Sequence, residues 1–158
     1  AAEENHVYLM EAFAYQHSPY IAAVRKEIEN GTIGDVRYME SAYITSDYDP
    51  KNIRMRRDTL GGCTYDLGVY NTSLILRILG DEPAKVRAIA SFSEEKIDTL
   101  TSFDGREEMK TISVPQNYRL EVEQMGRCVE GKETPAVTRG FSLANARMID
   151  AILEEIGY

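Results

Sequence analysis

The sequence predicts an α+β fold, an open and mostly antiparallel or mixed sheet with helices packed on one face. Segments with strand character crowd the first two thirds of the chain, and the last third reads as two amphipathic helices. With 158 residues, 43% of them apolar and 28% charged, a single globular domain over 1–158 with a sizeable core is expected.

Taken in order, VYLMEAFA (7–14) is an apolar run broken by Glu11 and reads as a buried strand. SPYIAAVRKEIENG follows with helix punctuation: Ser18 to cap, Pro19 at the first helical position, Ile21, Val24 and Ile28 as a stripe, and Gly31 as the stop. DVRYMESAYITS (35–46) alternates, with Val36, Tyr38, Ala42 and Ile44 on one side, and predicts a long strand. Residues 47–60 are polar, carry Arg54, Arg56 and Arg57, and read as a loop. GGCTYDLGVYNTSLILRILG (61–80) reads as one helix, with Leu67, Leu74, Ile75, Ile78 and Leu79 suited to burial. KVRAIASF (85–92) alternates again, with Val86, Ala88, Ala90 and Phe92 on one face, and TLTSF before DG suggests a strand and a tight turn. In NYRLEVEQMGRCVEG the helical stripe is Tyr118, Val122, Met125 and Val129; in SLANARMIDAILEEI, capped by Ser142, it is Ala146, Ile149, Leu153 and Ile156. The sheet's other face has no cover in this scheme, and apolar positions on it such as Tyr43 and Ile89 favour association with a partner surface.

Several function classes are disfavoured. A net charge of −8 makes nucleic acid an improbable partner, because phosphate binding rests on clustered Lys and Arg. No apolar run is long enough for a membrane span, and LILRIL contains Arg77. Two cysteines, Cys63 and Cys128, suit a reducing compartment, and without a leader pattern a cytoplasmic location is expected. The two His and two Cys make no metal-ligand spacing, so no metal is expected. Neither Gly-x-Gly-x-x-Gly nor a P-loop occurs. The AAEEN start, in what reads as the middle of a helix, suggests a piece of something longer.

The chemistry-bearing residues concentrate on the 61–80 helix. Asp66, Tyr70, Ser73 and Arg77 fall at i, i+4, i+7 and i+11 and share a face that looks either into water or into a site. Asp66 is explained equally as a first-turn acid favoured by the helix dipole, and Tyr70 as an amphipathic core residue. The sharper reading makes Tyr70 a general acid/base with Asp66 orienting a donor or a substrate hydroxyl. A tyrosine titrating near ~10 needs a neighbouring cation or donor for that task. Arg54, Arg56 and Arg57 can supply it, or form a solvated loop. Gly61 and Gly62 let another backbone or a substrate approach the helix start. His17, after Tyr15 and Gln16, ends the first strand, where sites often sit, although a lone His is commonly structural.

Three stretches in this order, VYLMEAFAYQHSP, NGTIGDVRYMESAY and NIRMRRDTLGGCTYDLGVYNTSLILRILGDEP, together with the C-terminal NYRLEVEQMGRCVEGKETPAVTRGFSLANARMIDAILE, resemble the glucose-fructose oxidoreductase/inositol dehydrogenase (Gfo/Idh/MocA) family. The resemblance implies the C-terminal substrate and dimerisation domain of an NAD(P)-dependent oxidoreductase acting on a sugar, polyol or related hydroxy compound. It implies a Rossmann half preceding residue 1 that holds NAD or NADP, with no cofactor bound by this chain alone, and a homodimer or higher homo-oligomer. By position it assigns Tyr70 and Asp66 to catalysis and Arg54, Tyr15 and His17 to substrate binding. The family's Glu-Lys-Pro segment is not in the sequence, Gln16 stands where many members carry Arg, and the stretch from Phe103 to Tyr118 is shorter than the family's strands require. A reading of another class stays open, a stand-alone, non-catalytic module for homodimerisation or small-ligand binding.

Overall fold

In the computed structural model the described residues are 1–45, 49–80, 83–96, 98–99 and 117–158. They are α+β: four α-helices and, among the described residues, one two-stranded antiparallel sheet. The chain divides into two compact units, Ala1–Tyr38 with Glu108–Leu143 and Met39–Glu107 with Ala144–Tyr158.

In the first unit, helix α1 (Pro19–Glu29) forms where the sequence placed it. The Ser18 hydroxyl accepts from the Tyr20 amide, Pro19 occupies the first turn, and Asn30 and Gly31 end it. The expected strand over 7–14 does not form. Residues 7–13 carry no regular structure, with Val7, Tyr8 and Leu9 exposed, and Ala14–His17 make a 3-10 turn. Apolarity without a pairing partner does not make a strand, and burial here is reserved for Phe13 and Ala14. The first residues are turns rather than helix.

Helix α3 (Asn117–Val129) spans its predicted residues but turns inward a face about a quarter-turn round from the predicted one. Tyr118, Val122 and Val129 are each at least two-thirds exposed, whereas Glu121, Gln124 and Cys128 are buried. The reason lies in partners outside the helix. The Gln124 side chain accepts from the Ala136 amide (2.9 Å) and donates to Glu133 (2.7 Å), tying the following loop to the polar face. Phe13 packs edge-to-face on Phe141 at 6.5 Å.

In the second unit the expected 61–80 helix is two segments, a π turn over Thr64–Gly68 and helix α2 (Val69–Leu79), ended by Gly80 in the left-handed region. Leu76 is its buried leucine; Leu79 is exposed, and Thr72 and Ser73 are buried with it. Helix α4 (Arg139–Ile156), which belongs to this unit from Ala144 on, begins one turn earlier than predicted. Its cap is Thr138, whose hydroxyl accepts from the Phe141 amide at 3.1 Å, not Ser142. Ile149 and Leu153 of the expected stripe are buried, but Asn145 rather than Ala146 completes it. Asn145 Oδ1 accepts from the Thr72 hydroxyl (2.6 Å) and its amide donates to the Val69 carbonyl (3.3 Å), linking α4 to α2. Asn145→Ala should therefore cost about 1–3 kcal/mol of unfolding free energy; an unchanged urea midpoint would contradict this coupling.

The larger sheet is not found among the described residues. Strand β1 (Ser91–Phe92) pairs with β2 (Asp98–Thr99), Ser91 opposite Thr99 and Phe92 opposite Asp98. Over 85–90 the alternation appears in burial, since Val86, Ala88 and Ala90 are half-buried and Lys85, Arg87 and Ile89 exposed. Over 35–45 it does not, and Tyr38, Tyr43 and Ile44 are exposed. Alternation specifies a face but not a partner, and pairing is a non-local property. The predicted TLTSF strand and DG turn lie, from Leu100 on, outside the described residues.

Candidate functional site

The geometry of the candidate site starts at the glycine pair. The Gly61 amide donates to the Arg56 carbonyl (2.8 Å) and the Gly62 amide to the Arg54 carbonyl (2.9 Å), which binds the 52–60 segment to the start of the π turn. A Cβ at Gly61 would stand 2.5 Å from the Arg54 carbonyl oxygen and 2.6 Å from that of Arg56, so no side chain fits. The predicted loop here contains two short 3-10 turns, Ile53–Met55 and Arg57–Thr59. The Asn52 side chain caps the first by accepting from the Arg54 amide at 3.0 Å.

This wrapping aims Arg54 at Asp66, and Nε donates to Oδ1 at 2.8 Å. Both side chains keep part of their surface in solvent, so the pair contributes at most about 1 kcal/mol to stability. Its value is directional: a guanidinium is fixed on the turn that leads into Tyr70. Because Asp66 sits in a π turn, it departs from the 3.6-residue spacing that put it on one face with Tyr70, Ser73 and Arg77. Ser73 is buried, so the predicted stripe is not one solvent-facing surface.

Tyr70 stacks on Tyr43 with ring centroids 5.4 Å apart and planes 22° from parallel. The Ser41 hydroxyl donates to Asn71 Oδ1 at 2.7 Å, and these two contacts hold 41–43 along α2. The other two arginines are engaged elsewhere. Arg56 pairs with Asp58, whose carboxyl is held below its usual range by that hydrogen bond. The Arg57 guanidinium lies 4.3 Å over the Tyr158 ring and donates to the Lys96 carbonyl at 2.8 Å. Tyr158 in turn donates its hydroxyl to the Gly61 carbonyl (2.6 Å), and burial raises its pKa, which keeps that donor protonated.

Tyr15 and His17 belong to the first unit. The Tyr15 hydroxyl accepts from the Gln16 amide at 2.6 Å, and its ring meets Phe13 edge-on at 6.2 Å. His17 is buried in its side chain, with Nε2 3.8 Å from Glu121 Oε1. Burial raises the Glu121 pKa. A carboxyl whose folded pKa lies above its unfolded one destabilises the fold as pH rises through that interval, and the penalty is complete above it. Glu121→Gln should thus raise the thermal midpoint at pH 8 and leave it unchanged at pH 4, as followed by circular dichroism. A lower midpoint at pH 8 would show that Glu121 is needed as an anion.

Sequence reasoning missed Asp98 and Tyr158, both of which touch the glycine-pair turn from more than thirty residues away in the chain. No local pattern marks either position. Cys63, which lies at the start of the turn, donates its thiol to Asp98 Oδ2 at 3.0 Å. Among the described residues there is no group of three His, Cys, Asp or Glu that could hold a metal ion, and no helix is long and apolar enough to cross a membrane.

The profile of the GFO/IDH/MocA C-terminal domain matches residues 21–115, and the chain belongs to that family. Among its relatives are oxidoreductases. It is 35% identical over 81 residues to a dTDP-3,4-didehydro-2,6-dideoxy-alpha-D-glucose 3-reductase of Streptomyces violaceoruber, a match covering 51% of this chain and 24% of that one. It is 31% identical over 104 residues to the trans-1,2-dihydrobenzene-1,2-diol dehydrogenase of Mus musculus, covering 64% and 30%. It is 28% identical over an alignment of 207 positions, gaps included, to D-xylose 1-dehydrogenase (NADP(+)) 2 of Haloferax volcanii, covering 96% of this chain and 63% of that one. A crystal structure from Sinorhizobium meliloti 1021, provisionally assigned as a myo-inositol dehydrogenase, superposes with a TM-score of 0.67 at 15% identity, covering 99% of this chain and 65% of that one, and supports the fold. The chain thus spans from about a quarter to just under two thirds of the length of these proteins.

Proposed function

We propose that this chain is the substrate-facing domain of an NAD(P)-dependent oxidoreductase acting on a sugar, polyol or related hydroxy compound, working in the cytoplasm. The observation that carries the reading is the Arg54 guanidinium seated on Asp66 one turn before Tyr70. Relatives named for a dTDP-sugar, a pentose and a diol support the substrate class.

In this scheme the Tyr70 hydroxyl exchanges a proton with the reacting hydroxyl or carbonyl oxygen of the substrate. The ordinary tyrosine pKa of about 10 calls for a cation, a part we assign to Arg54, and Asp66 fixes the direction of that guanidinium. Tyr43 supports the catalytic ring by stacking. Tyr15 and His17 enter as substrate contacts on position alone. When bound, a nicotinamide cofactor accepts or supplies the hydride. The residues of this chain contain no glycine-rich dinucleotide cradle, so a Rossmann half is the partner that would hold it. Self-association, as a homodimer or higher homo-oligomer, is part of the proposal and is supported by the exposed Tyr118, Val122 and Val129 on α3.

The test is a fluorescence titration with NADH and NADPH of both the full-length polypeptide and residues 1–158. Saturable binding by the first and none by the second is expected. Micromolar binding by the isolated chain would overturn the division of labour. Absence of binding by the full-length polypeptide would favour a non-catalytic module for homodimerisation or ligand binding.

A further inference from the structure

We propose that Asp98 is the positioning residue of the turn that carries Arg54, Asp66 and Tyr70. The geometry is independent of the oxidoreductase reading; only the effect on turnover rests on it. Asp98 is 1% exposed, and a carboxylate so buried is costly unless donors converge on it. Three do, all on Oδ2: the Thr64 amide (2.8 Å), the Thr64 hydroxyl (2.6 Å) and the Cys63 thiol (3.0 Å). The π turn has no side-chain cap from its own N-terminal residue, Cys63. Its cap therefore comes from strand β2, 34 residues further along the chain, as a charge-assisted hydrogen bond at the positive end of the turn.

The second glycine makes this seat possible. Gly62 has φ +118°, and a Cβ there would overlap Asp98 Oδ1. The Gly62 amide holds the Arg54 carbonyl, while its own carbonyl accepts from the Asp66 amide (3.1 Å), so one residue links the backbones of both ion-pair partners. Among the described residues the hydrogen bonds of Asp98 run to Cys63 and Thr64, not to Arg54 or Asp66. It acts by fixing the peptide units that aim both of them. Strand β2 thereby sets the direction of the guanidinium that the proposed chemistry uses.

The experiment uses the full-length protein with ¹⁵N-labelled arginine, reading the Arg54 Nε–H cross-peak, assigned by its loss in R54K. Asp98→Ala should accelerate exchange of that proton about tenfold, whereas Asp98→Asn, which keeps an oxygen for Thr64, should stay within about twofold of wild type. Unchanged exchange in a folded Asp98→Ala protein overturns the proposal, as does Asp98→Asn behaving like Asp98→Ala. Should Asp98→Ala not fold, Thr64→Val, which removes one donor, decides: faster exchange supports the role and unchanged exchange overturns it. Turnover is read in parallel. If positioning acts on chemistry, kcat falls about tenfold in Asp98→Ala, with a smaller change in KM. A wild type inactive on every hydroxy compound, with Arg54 still released by Asp98→Ala, removes the oxidoreductase reading and leaves the positioning role intact.

Discussion

In the full-length protein Tyr70→Phe should lower kcat by about 10²–10⁴, far more than it alters stability. Proton transfer by a positioned side chain is worth that range, and phenylalanine keeps the ring while removing the group that transfers. The stability half of the prediction follows from what Tyr70 does in the fold. Its described ring contact is a stack with Tyr43, and phenylalanine stacks as well. A large loss of kcat with an unshifted midpoint identifies chemistry. A matching loss of both would mean that the hydroxyl holds the structure, and unchanged turnover would remove Tyr70 from the mechanism. Arg54→Met should act in the same direction by withdrawing the cation.

Gly62→Ala should destabilise the protein by about 2–4 kcal/mol. Two costs coincide there, the positive φ and the overlap with the Asp98 carboxylate. Gly80 separates them. It also has positive φ (+83°), but nothing lies within 4 Å of where its Cβ would stand, so Gly80→Ala should cost about 1 kcal/mol. Chemical denaturation of both variants measures the difference, which combines the overlap with the buried carboxylate and the more extreme φ of Gly62 (+118° against +83°). Equal costs at the two glycines would show that Asp98 yields easily and holds the turn only weakly.

Helices with local punctuation were legible in the sequence. Ser18, Pro19 and Gly31 mark α1 because capping and turn chemistry act within a few residues. The inward face of α3 was not legible, because Gln124 and Glu121 are drawn in by Ala136, Glu133 and His17, whose positions depend on the fold. The larger sheet is not found among the described residues for a related reason, since alternation over 35–45 cannot name a partner strand. At the site, the glycine pair and Asp66 signalled a helix start. The cap from Asp98 and the clamp by Tyr158 did not, because each comes from a sequence-distant group meeting the turn at Thr64 or Gly61. The Arg54–Asp66 pair falls between these cases: the residues were singled out, but their contact spans twelve positions through a loop.

The most direct test is steady-state turnover of the full-length polypeptide with NAD and NADP across sugars, polyols and diols. Nicotinamide reduction that saturates with at least one of these compounds, and that falls at least a hundredfold in Tyr70→Phe, is the expected result. Cofactor binding without turnover of any hydroxy compound, or turnover indifferent to Tyr70, would contradict it.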